Sequence, residues 1–209
     1  NAGALLIVEL DGPLAVINVQ RSVVENIINQ NKAIEIKWAA DDHERAMIWK
    51  ARKNAFGALG RIAPHAYVLD GVIPRSRLKD AIIAIDKIGK HYELPISNIY
   101  HAGDGNLHPA LLYDRNKEDQ VKKVLLAAKE ILELCVDLGG TLSGEHGIGI
   151  EKLMEMPFAF AELDLEAMNR VRSCFNPLEL CNPGKLIPSP KTCGESGRRP
   201  LIRYQMFTC

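Results

Sequence analysis

The stretch NIYHAGDGNLHPALLY, residues 98–113, decides the fold because it places a tight Gly-Asp-Gly segment between two strand-like runs. Asp-Gly is among the strongest signals for a two-residue β-hairpin turn. A turn at Asp104-Gly105 pairs His101 with His108, and directly opposed residues have Cβ atoms about 4.5–5.5 Å apart on one face. We therefore predict a hairpin whose two histidines face a common point.

Imidazoles placed in this way can bind one ion at about 2.0–2.1 Å, but two histidines make an incomplete metal site. The other glycine-rich loop, SGEHGIG at residues 143–149, offers Glu145 as a further ligand, followed directly by His146. Neighbouring residues of an extended chain point to opposite sides, so both can face one site only if the loop's glycines kink it. The alternative is that the histidines are partly buried strand residues and that Glu145 is a surface carboxylate.

The segments around the hairpin alternate between strand and helix patterns. Apolar or alternating runs predict strands over residues 4–12, 33–39 and 66–74, and a strand and loop over 141–149. Apolar spacings of three and four residues predict helices over residues 14–30, 74–92 and 119–138. Asp41 and Asp42 precede a further predicted helix over residues 43–59, and more helical segments are predicted to about Phe175. This alternation indicates a sheet covered by packed helices.

Composition excludes several classes of protein. The 209 residues carry 26 basic and 26 acidic side chains, so no bulk positive field favours nucleic acid. No run approaches the roughly 18 apolar residues that a membrane span needs. Five cysteines at irregular spacings favour a reducing cytoplasm over a disulfide framework. The chain begins at Asn1 inside an apolar run, and we expect it to be part of a longer protein.

Three ordered motifs carry a family resemblance: HAGDGNLHPALLYD, LCVDLGGTLSGEHGIGIEK and FNPLELCNPGKLIP. Together with the upstream segments WKARKNAFGALGRIAPHAYVLDGVIPRSRL and GALLIVELDG, they resemble the C-terminal domain of FAD-linked 2-hydroxyacid oxidoreductases of the vanillyl-alcohol oxidase superfamily. Within that superfamily, the FAD-binding subunits of glycolate oxidases are the most similar group. The resemblance covers nearly the whole chain.

The resemblance implies a role for each matched position. A divalent cation, with Zn, Mn and Fe all possible, would be bound by three side chains, His101, His108 and Glu145. His146 would be the catalytic base that takes a proton from the substrate. Arg52, in WKAR, would bind the substrate carboxylate, and Asn182, in CNPGK, would lie near the flavin ring.

The resemblance also implies the fold and the partners. Residues 1–187 would form an α+β cap domain, a ferredoxin-like antiparallel sheet covered by helices, and residues 188–209 a flexible tail. An N-terminal domain outside this chain would bind most of the FAD, so the chain alone would be inactive. Electrons would pass to further subunits, including an iron-sulfur protein, at the cytoplasmic face of the membrane.

Departures from the family narrow the substrate. In the related D-2-hydroxyglutarate dehydrogenases, polar side chains hold a second, distal carboxylate, whereas the corresponding residues here are Phe56, Val68 and Ala110. This favours a short substrate and predicts oxidation of glycolate to glyoxylate. One alternative is a D-lactate dehydrogenase that reduces a cytochrome or quinone. Another, of a different class, is a non-catalytic domain that the metal merely stabilises.

Overall fold

The computed structural model describes residues 3–188 of the chain. The chain divides into two compact units, Asn1–Asn54 and Ala55–Cys209. The tail predicted for residues 188–209 lies outside the described residues, apart from Pro188. Within residues 3–188, no helix combines the length and the apolar character needed to cross a lipid bilayer.

Two of the predicted helices form in the first unit. α1 (Leu14–Gln30) has the predicted bounds, and α2 (Asp42–Lys53) begins one residue before the predicted start. A reciprocal cap fixes the start of α2, since the Asp41 side chain accepts from the Glu44 N–H at 2.8 Å and Glu44 Oε2 accepts from the Ala40 N–H at 3.0 Å. The helix predicted to reach residue 59 is interrupted after residue 53, so its second part is a separate short helix.

The two strands predicted for the first unit are wrong. Residues 4–12 and 33–39 are irregular throughout, and Leu5 and Leu6 are largely exposed. A strand is defined by the hydrogen bonds that it exchanges with a neighbouring strand. Over residues 3–54 neither segment has such a neighbour, so the apolar pattern alone did not produce a ladder.

The second unit is organised around one central strand, β4 (Asn106–Tyr113). β3 (Ile96–His101) pairs with one of its edges, while β1 (His65–Val68) and β2 (Gly71–Val72) pair with the other. All of these pairings are antiparallel, which confirms the predicted α+β class. The segment 141–149 contributes only a single bridge to this sheet, between Val72 and Thr141, and is otherwise a loop.

Helices cover one face of the sheet. α4 (Leu78–Tyr92) and α5 (Glu118–Asp137) were both predicted from their apolar spacing, and they pack on that face. Odd-numbered residues of β4 point toward these helices because side chains alternate along a strand. The resulting core includes Leu107 and Leu111 of the strand together with Ile85 and Ile131 of the helices.

The opposite face of the sheet carries a smaller apolar cluster beside polar groups. Its fully buried members include Ala110 and Leu112, and α3 (Ala55–Leu59) covers them. Even-numbered residues of β4 lie on this face, and so does His108. Two further helices follow in the sequence, the one-turn α6 (Met156–Ala159) and the longer α7 (Glu162–Phe175).

The predicted two-residue hairpin turn is wrong, because four residues, 102–105, connect β3 to β4. The N–H groups of Asp104 and Gly105 both donate to the His101 carbonyl, at 3.1 and 3.0 Å, which requires the longer loop. Gly105 also has a φ of +75°, and its carbonyl accepts a 3.0 Å hydrogen bond from the Ile73 N–H. Because glycine has no side chain, this position allows both the turn and the close approach to the Ile73 backbone, directly after β2.

The longer loop changes the partner of each histidine but not the face on which it lies. His101 is opposite Asn106, and His108 is opposite Ile99, so the predicted direct pairing of the two histidines is wrong. The register differs from the prediction by two residues. An even shift keeps every side chain on its original side of the sheet, so the two imidazoles stay on one face and become diagonal neighbours.

Replacing Gly105 with Ala should destabilise the protein by about 2–4 kcal/mol, because the new Cβ collides with the Ile73 backbone and the positive φ is itself strained. Chemical denaturation of the full-length protein measures this change. Gly103→Ala, in the same loop, is the matched control, since a Cβ there meets nothing within 4 Å. Equal unfolding midpoints for the two variants would contradict the proposed role of Gly105.

Candidate functional site

His108 is the buried centre of the candidate site. Only 4% of the residue is exposed, and its Nδ1 lies 3.2 Å from the Leu69 carbonyl oxygen. That carbonyl can only accept, so we assign the proton to Nδ1, which leaves the Nε2 lone pair free. Histidines that bind metals commonly donate their second ring N–H to a backbone carbonyl in this way.

The glycine-rich loop at residues 143–149 brings a carboxylate and a second imidazole to this ring. Glu145 Oε1 lies 3.0 Å from His108 Nε2 and 3.6 Å from His146 Nε2. The rings of His108 and His146 are stacked, with centroids 5.2 Å apart and planes 16° from parallel. Gly147 and Gly149 have φ values of +80° and +56°, so the loop is kinked as the sequence required.

A fourth side chain, Asp70, completes a group that could hold a metal ion. One ligand atom from each of Asp70, His108, Glu145 and His146 lies within 4.8 Å of the others. Two ligand atoms bonded to one ion at about 2.0–2.2 Å are no more than about 4.4 Å apart. The two separations measured from Glu145 satisfy that limit.

The Asp70 carboxylate is fully buried and is surrounded by the loop backbone. Its Oδ2 accepts from Ser143 Oγ at 2.6 Å and from the N–H groups of Gly144 and His146 at 3.0 and 2.9 Å. Oδ1 accepts from the Glu145 N–H at 3.2 Å. Three consecutive loop amides thus converge on one side chain of the sheet.

Lys152 supplies the positive charge that Asp70 needs. Its ammonium group, also buried, donates to the Asp70 carbonyl at 2.8 Å and to Oδ2 at 3.1 Å. Burial by itself raises the pKa of the Asp70 carboxyl. The hydrogen bonds from Ser143 and the His146 amide, together with the Lys152 charge, more than offset burial and hold that pKa well below its usual range.

Gly144 lets the loop lie directly on the sheet. A Cβ at this position would come within 2.7 Å of both the Asn106 side chain and Val72 Cγ2. These two residues face each other across β2 and β4, so they form the surface on which the loop rests. Any side chain larger than hydrogen would push the loop away from His108.

The remaining predicted site residues are less closely grouped. The exposed His101 has its ring 5.5 Å from that of His108, edge to face, but does not belong to the four-residue group. Asn182 is exposed at a φ of +49°, in a loop held by Arg172, which donates to its carbonyl at 2.9 Å. Arg52 lies in the last turn of α2, in the other unit.

Sequence reasoning missed Asp70, Ser143 and Lys152. Asp70 lies in the segment AYVLDGVIP, where Asp-Gly is an ordinary turn signal. Lys152 is the last residue of the motif LCVDLGGTLSGEHGIGIEK, and no role was predicted for it. The available signal was a single acidic residue among eight apolar or small ones. The sequence does not indicate that Asp70 and Lys152, which are 82 residues apart, form one buried ion pair.

The positions predicted to limit substrate length are all in the apolar cluster beside His108. Val68 and Ala110 are directly paired across the sheet, two residues from Asp70 and His108 respectively, and Phe56 packs against them from α3. None of these side chains can hydrogen-bond or carry charge. This part of the site is therefore an apolar surface.

Replacing Lys152 with Met should destabilise the protein by about 3–5 kcal/mol, because it leaves the buried Asp70 carboxylate without a cation. Thermal and chemical unfolding of the full-length protein measure the loss. Lys90→Met is the matched control: Lys90 pairs with Asp86 on the exposed surface of α4, and the expected effect is below about 0.5 kcal/mol. Similar losses of unfolding free energy in the two variants would show that the buried Lys152–Asp70 pair contributes no more to stability than an exposed pair.

Comparison with known proteins places this arrangement in a family. The family of FAD linked oxidases, C-terminal domain, matches residues 1–186. Glycolate oxidase subunit GlcD of Escherichia coli strain K12 is 40% identical over 94% of this chain, and GlcD of Bacillus subtilis strain 168 is 33% identical over 90%. The mitochondrial D-lactate dehydrogenase (cytochrome) of Arabidopsis thaliana is 30% identical over 90%.

The chain spans 40% of the length of both glycolate oxidase subunits and 33% of the D-lactate dehydrogenase. The family match extends from the first residue through α7 and most of the loop that follows it. It therefore confirms the resemblance inferred from the three motifs. The chain belongs to the family of FAD-linked oxidases, and the part it matches is their C-terminal domain.

Proposed function

We propose that this chain is the substrate domain of a flavin-dependent 2-hydroxyacid oxidoreductase that oxidises glycolate to glyoxylate. The observation that carries the proposal is the meeting of His108, Glu145 and His146, which come from a strand and a loop well separated in sequence. One carboxylate and two imidazoles at hydrogen-bonding or stacking distance suit proton transfer and metal binding. Membership in the family of FAD-linked oxidases supports a flavin as the acceptor of the substrate's electrons.

The donor set fits a divalent cation. With Nδ1–H directed to the Leu69 carbonyl, His108 Nε2 and Glu145 Oε1 are two acceptors 3.0 Å apart. Such a pair needs a second ring proton or a cation between its members. We propose His108 and Glu145 as ligands, with His101 as the third. Imidazole and carboxylate suit Zn, Mn and Fe alike.

The need for a cation follows from proton affinities. An alcohol is about as weak an acid as water, with a pKa of about 15.7, whereas an ordinary imidazole has a pKa of about 6.5. This gap of about nine units corresponds to about 12 kcal/mol, which an imidazole base alone does not close. A divalent cation bound here would supply Lewis-acid polarisation of the substrate hydroxyl.

His146 is proposed as the base that receives the hydroxyl proton. About half of its side chain is exposed, so a substrate can reach it, and the Glu145 carboxylate 3.6 Å from Nε2 stabilises the ring once it is protonated. Stacking on the buried His108 ring limits the movement of the His146 ring. Its backbone N–H is bound to Asp70, which fixes the position from which the side chain extends.

Arg52 and Asn182 extend the proposal beyond this cluster. Arg52 carries the fork of donors that binds a carboxylate in two places, and it is proposed to hold the carboxylate of the substrate. Asn182 is proposed to lie beside the flavin ring. A separate N-terminal domain is proposed to bind most of the FAD, which would supply the acceptor for the hydride from the α-carbon. Electrons are proposed to pass on to subunits that include an iron-sulfur protein.

The apolar surface formed by Phe56, Val68 and Ala110 favours a substrate with a single carboxylate. A second carboxylate placed against these side chains would lose its hydration without gaining a hydrogen bond, which is costly. Glycolate and D-lactate both satisfy this condition, and the relatives include enzymes named for each. Oxidation of D-lactate is therefore the second candidate.

In the full-length protein, His146→Asn should abolish reduction of the flavin by substrate, because Asn cannot accept the proton. A loss of about 100- to 10,000-fold is expected for removal of a general base. Stopped-flow absorbance of the flavin measures this loss. In the wild type, glycolate and D-lactate are compared side by side, and the acid that reduces the flavin faster is assigned as the substrate.

The control is His91→Asn, an exposed histidine at the end of α4, which should leave flavin reduction unchanged. Metal content should be retained in both variants. Normal flavin reduction by the His146 variant would remove this residue from the proposed mechanism.

Chelation distinguishes a catalytic metal from a purely structural one. Removing divalent metal from the full-length protein should stop flavin reduction, and adding back Zn²⁺, Mn²⁺ or Fe²⁺ should restore it. The circular dichroism of the helices should persist, because the core between the sheet and α4 and α5 contains no metal ligand of this site. Melting of the domain in chelator, with no effect on the rate of the remaining folded enzyme, would instead support a structural metal.

A further inference from the structure

We infer that Asp70 is a positioning residue, which holds the loop at residues 143–147 so that Glu145 and His146 face His108. This inference rests on the proposed function, since that function gives Glu145 and His146 their roles. It assigns Asp70 a task different from that of a metal ligand, although its carboxylate lies within the same group of possible ligands.

The hydrogen bonds of Asp70 leave little capacity for a metal. Oδ2 already accepts from Ser143 Oγ, the amides of Gly144 and His146, and the Lys152 ammonium group. An ionised carboxylate has about four lone-pair sites in total. Coordination through Oδ2 would break several of these bonds in a fully buried place, where a lost hydrogen bond is not replaced by water.

The same hydrogen bonds determine where the neighbouring side chains point. In an extended segment, Glu145 and His146 would lie on opposite sides of the chain. Here their amides and that of Gly144 all point to one carboxylate, so the backbone curls around Asp70 and both side chains reach the same imidazole. Ser143 closes the curl, because its Oγ also accepts from the Gly147 N–H at 2.7 Å.

The position of Asp70 in the sheet links the loop to His108. The register of β1 and β2 against β4 continues without a shift through the residues between them, so Asp70 lies directly opposite His108. The preceding carbonyl, that of Leu69, accepts from the His108 ring. Two consecutive residues of one segment therefore orient both halves of the site.

Lys152 has a separate task, and this separation makes the inference testable. It neutralises Asp70, and within residues 3–188 both hydrogen bonds of its ammonium group go to Asp70. Replacing Lys152 with Met should therefore weaken the fold while the loop amides stay bound to Asp70. Replacing both Asp70 with Asn and Lys152 with Met removes the carboxylate without leaving an unpaired buried charge.

The experiment compares the wild type, Lys152→Met and the double variant Asp70→Asn/Lys152→Met in the full-length protein. Amide hydrogen exchange of residues 143–147 should be about tenfold or more faster in the double variant than in Lys152→Met, because the charged acceptor is lost. Titration with Co²⁺ alone, followed by its visible absorption, should show about 10- to 100-fold weaker binding in the double variant. Lys152→Met should bind Co²⁺ as the wild type does.

Two results would overturn the inference. In the first, the loop amides of the double variant remain as protected as those of Lys152→Met; if Co²⁺ binding falls in that case, Asp70 behaves as a direct ligand. In the second, exchange accelerates but Co²⁺ binding does not change. A wild type that binds no Co²⁺ contradicts the proposed metal site, and the exchange comparison still decides the role of Asp70 because it needs no metal.

Discussion

The arrangement of this site depends on one buried carboxylate. Asp70 lies between β1 and β2 with no exposed surface, and its charge is stabilised by one ammonium group, one hydroxyl group and three successive amides. A buried charge is tolerated only when it is paired and fully hydrogen-bonded. The need to satisfy this one group therefore fixes a loop that is distant in sequence, and that loop carries Glu145 and His146.

The two faces of the sheet have different roles. On one face, α4 and α5 bury odd-numbered residues of β4 in the main apolar core, which supplies most of the apolar burial. On the other face, His108 is followed two residues later by Ala110, so a polar cluster and an apolar surface adjoin each other. The proposed substrate, a small hydroxy acid, would need both kinds of surroundings: charged groups around its reacting end and an apolar surface beyond it.

Prediction from sequence succeeded where the physical signal is local. Apolar spacing located α1, α4 and α5, and an acidic N-cap located α2, because helix hydrogen bonds form within the segment itself. It failed for residues 4–12 and 33–39, where a strand needs a partner that the local pattern cannot specify. The hairpin shows both outcomes: its strands were located, but its loop was two residues longer than the turn residues suggested.

By itself, the sequence determined the family and the helix-covered sheet, and it supplied candidate site residues, because motifs and periodicities are written in consecutive positions. Only the tertiary structure decided the register of His108, the contact of Glu145 and His146 with it, and the partnership of Asp70 with Lys152. These features arise from groups tens of residues apart that must satisfy one another's hydrogen bonds and charges after burial. That requirement acts in three dimensions and leaves no regular spacing in the chain.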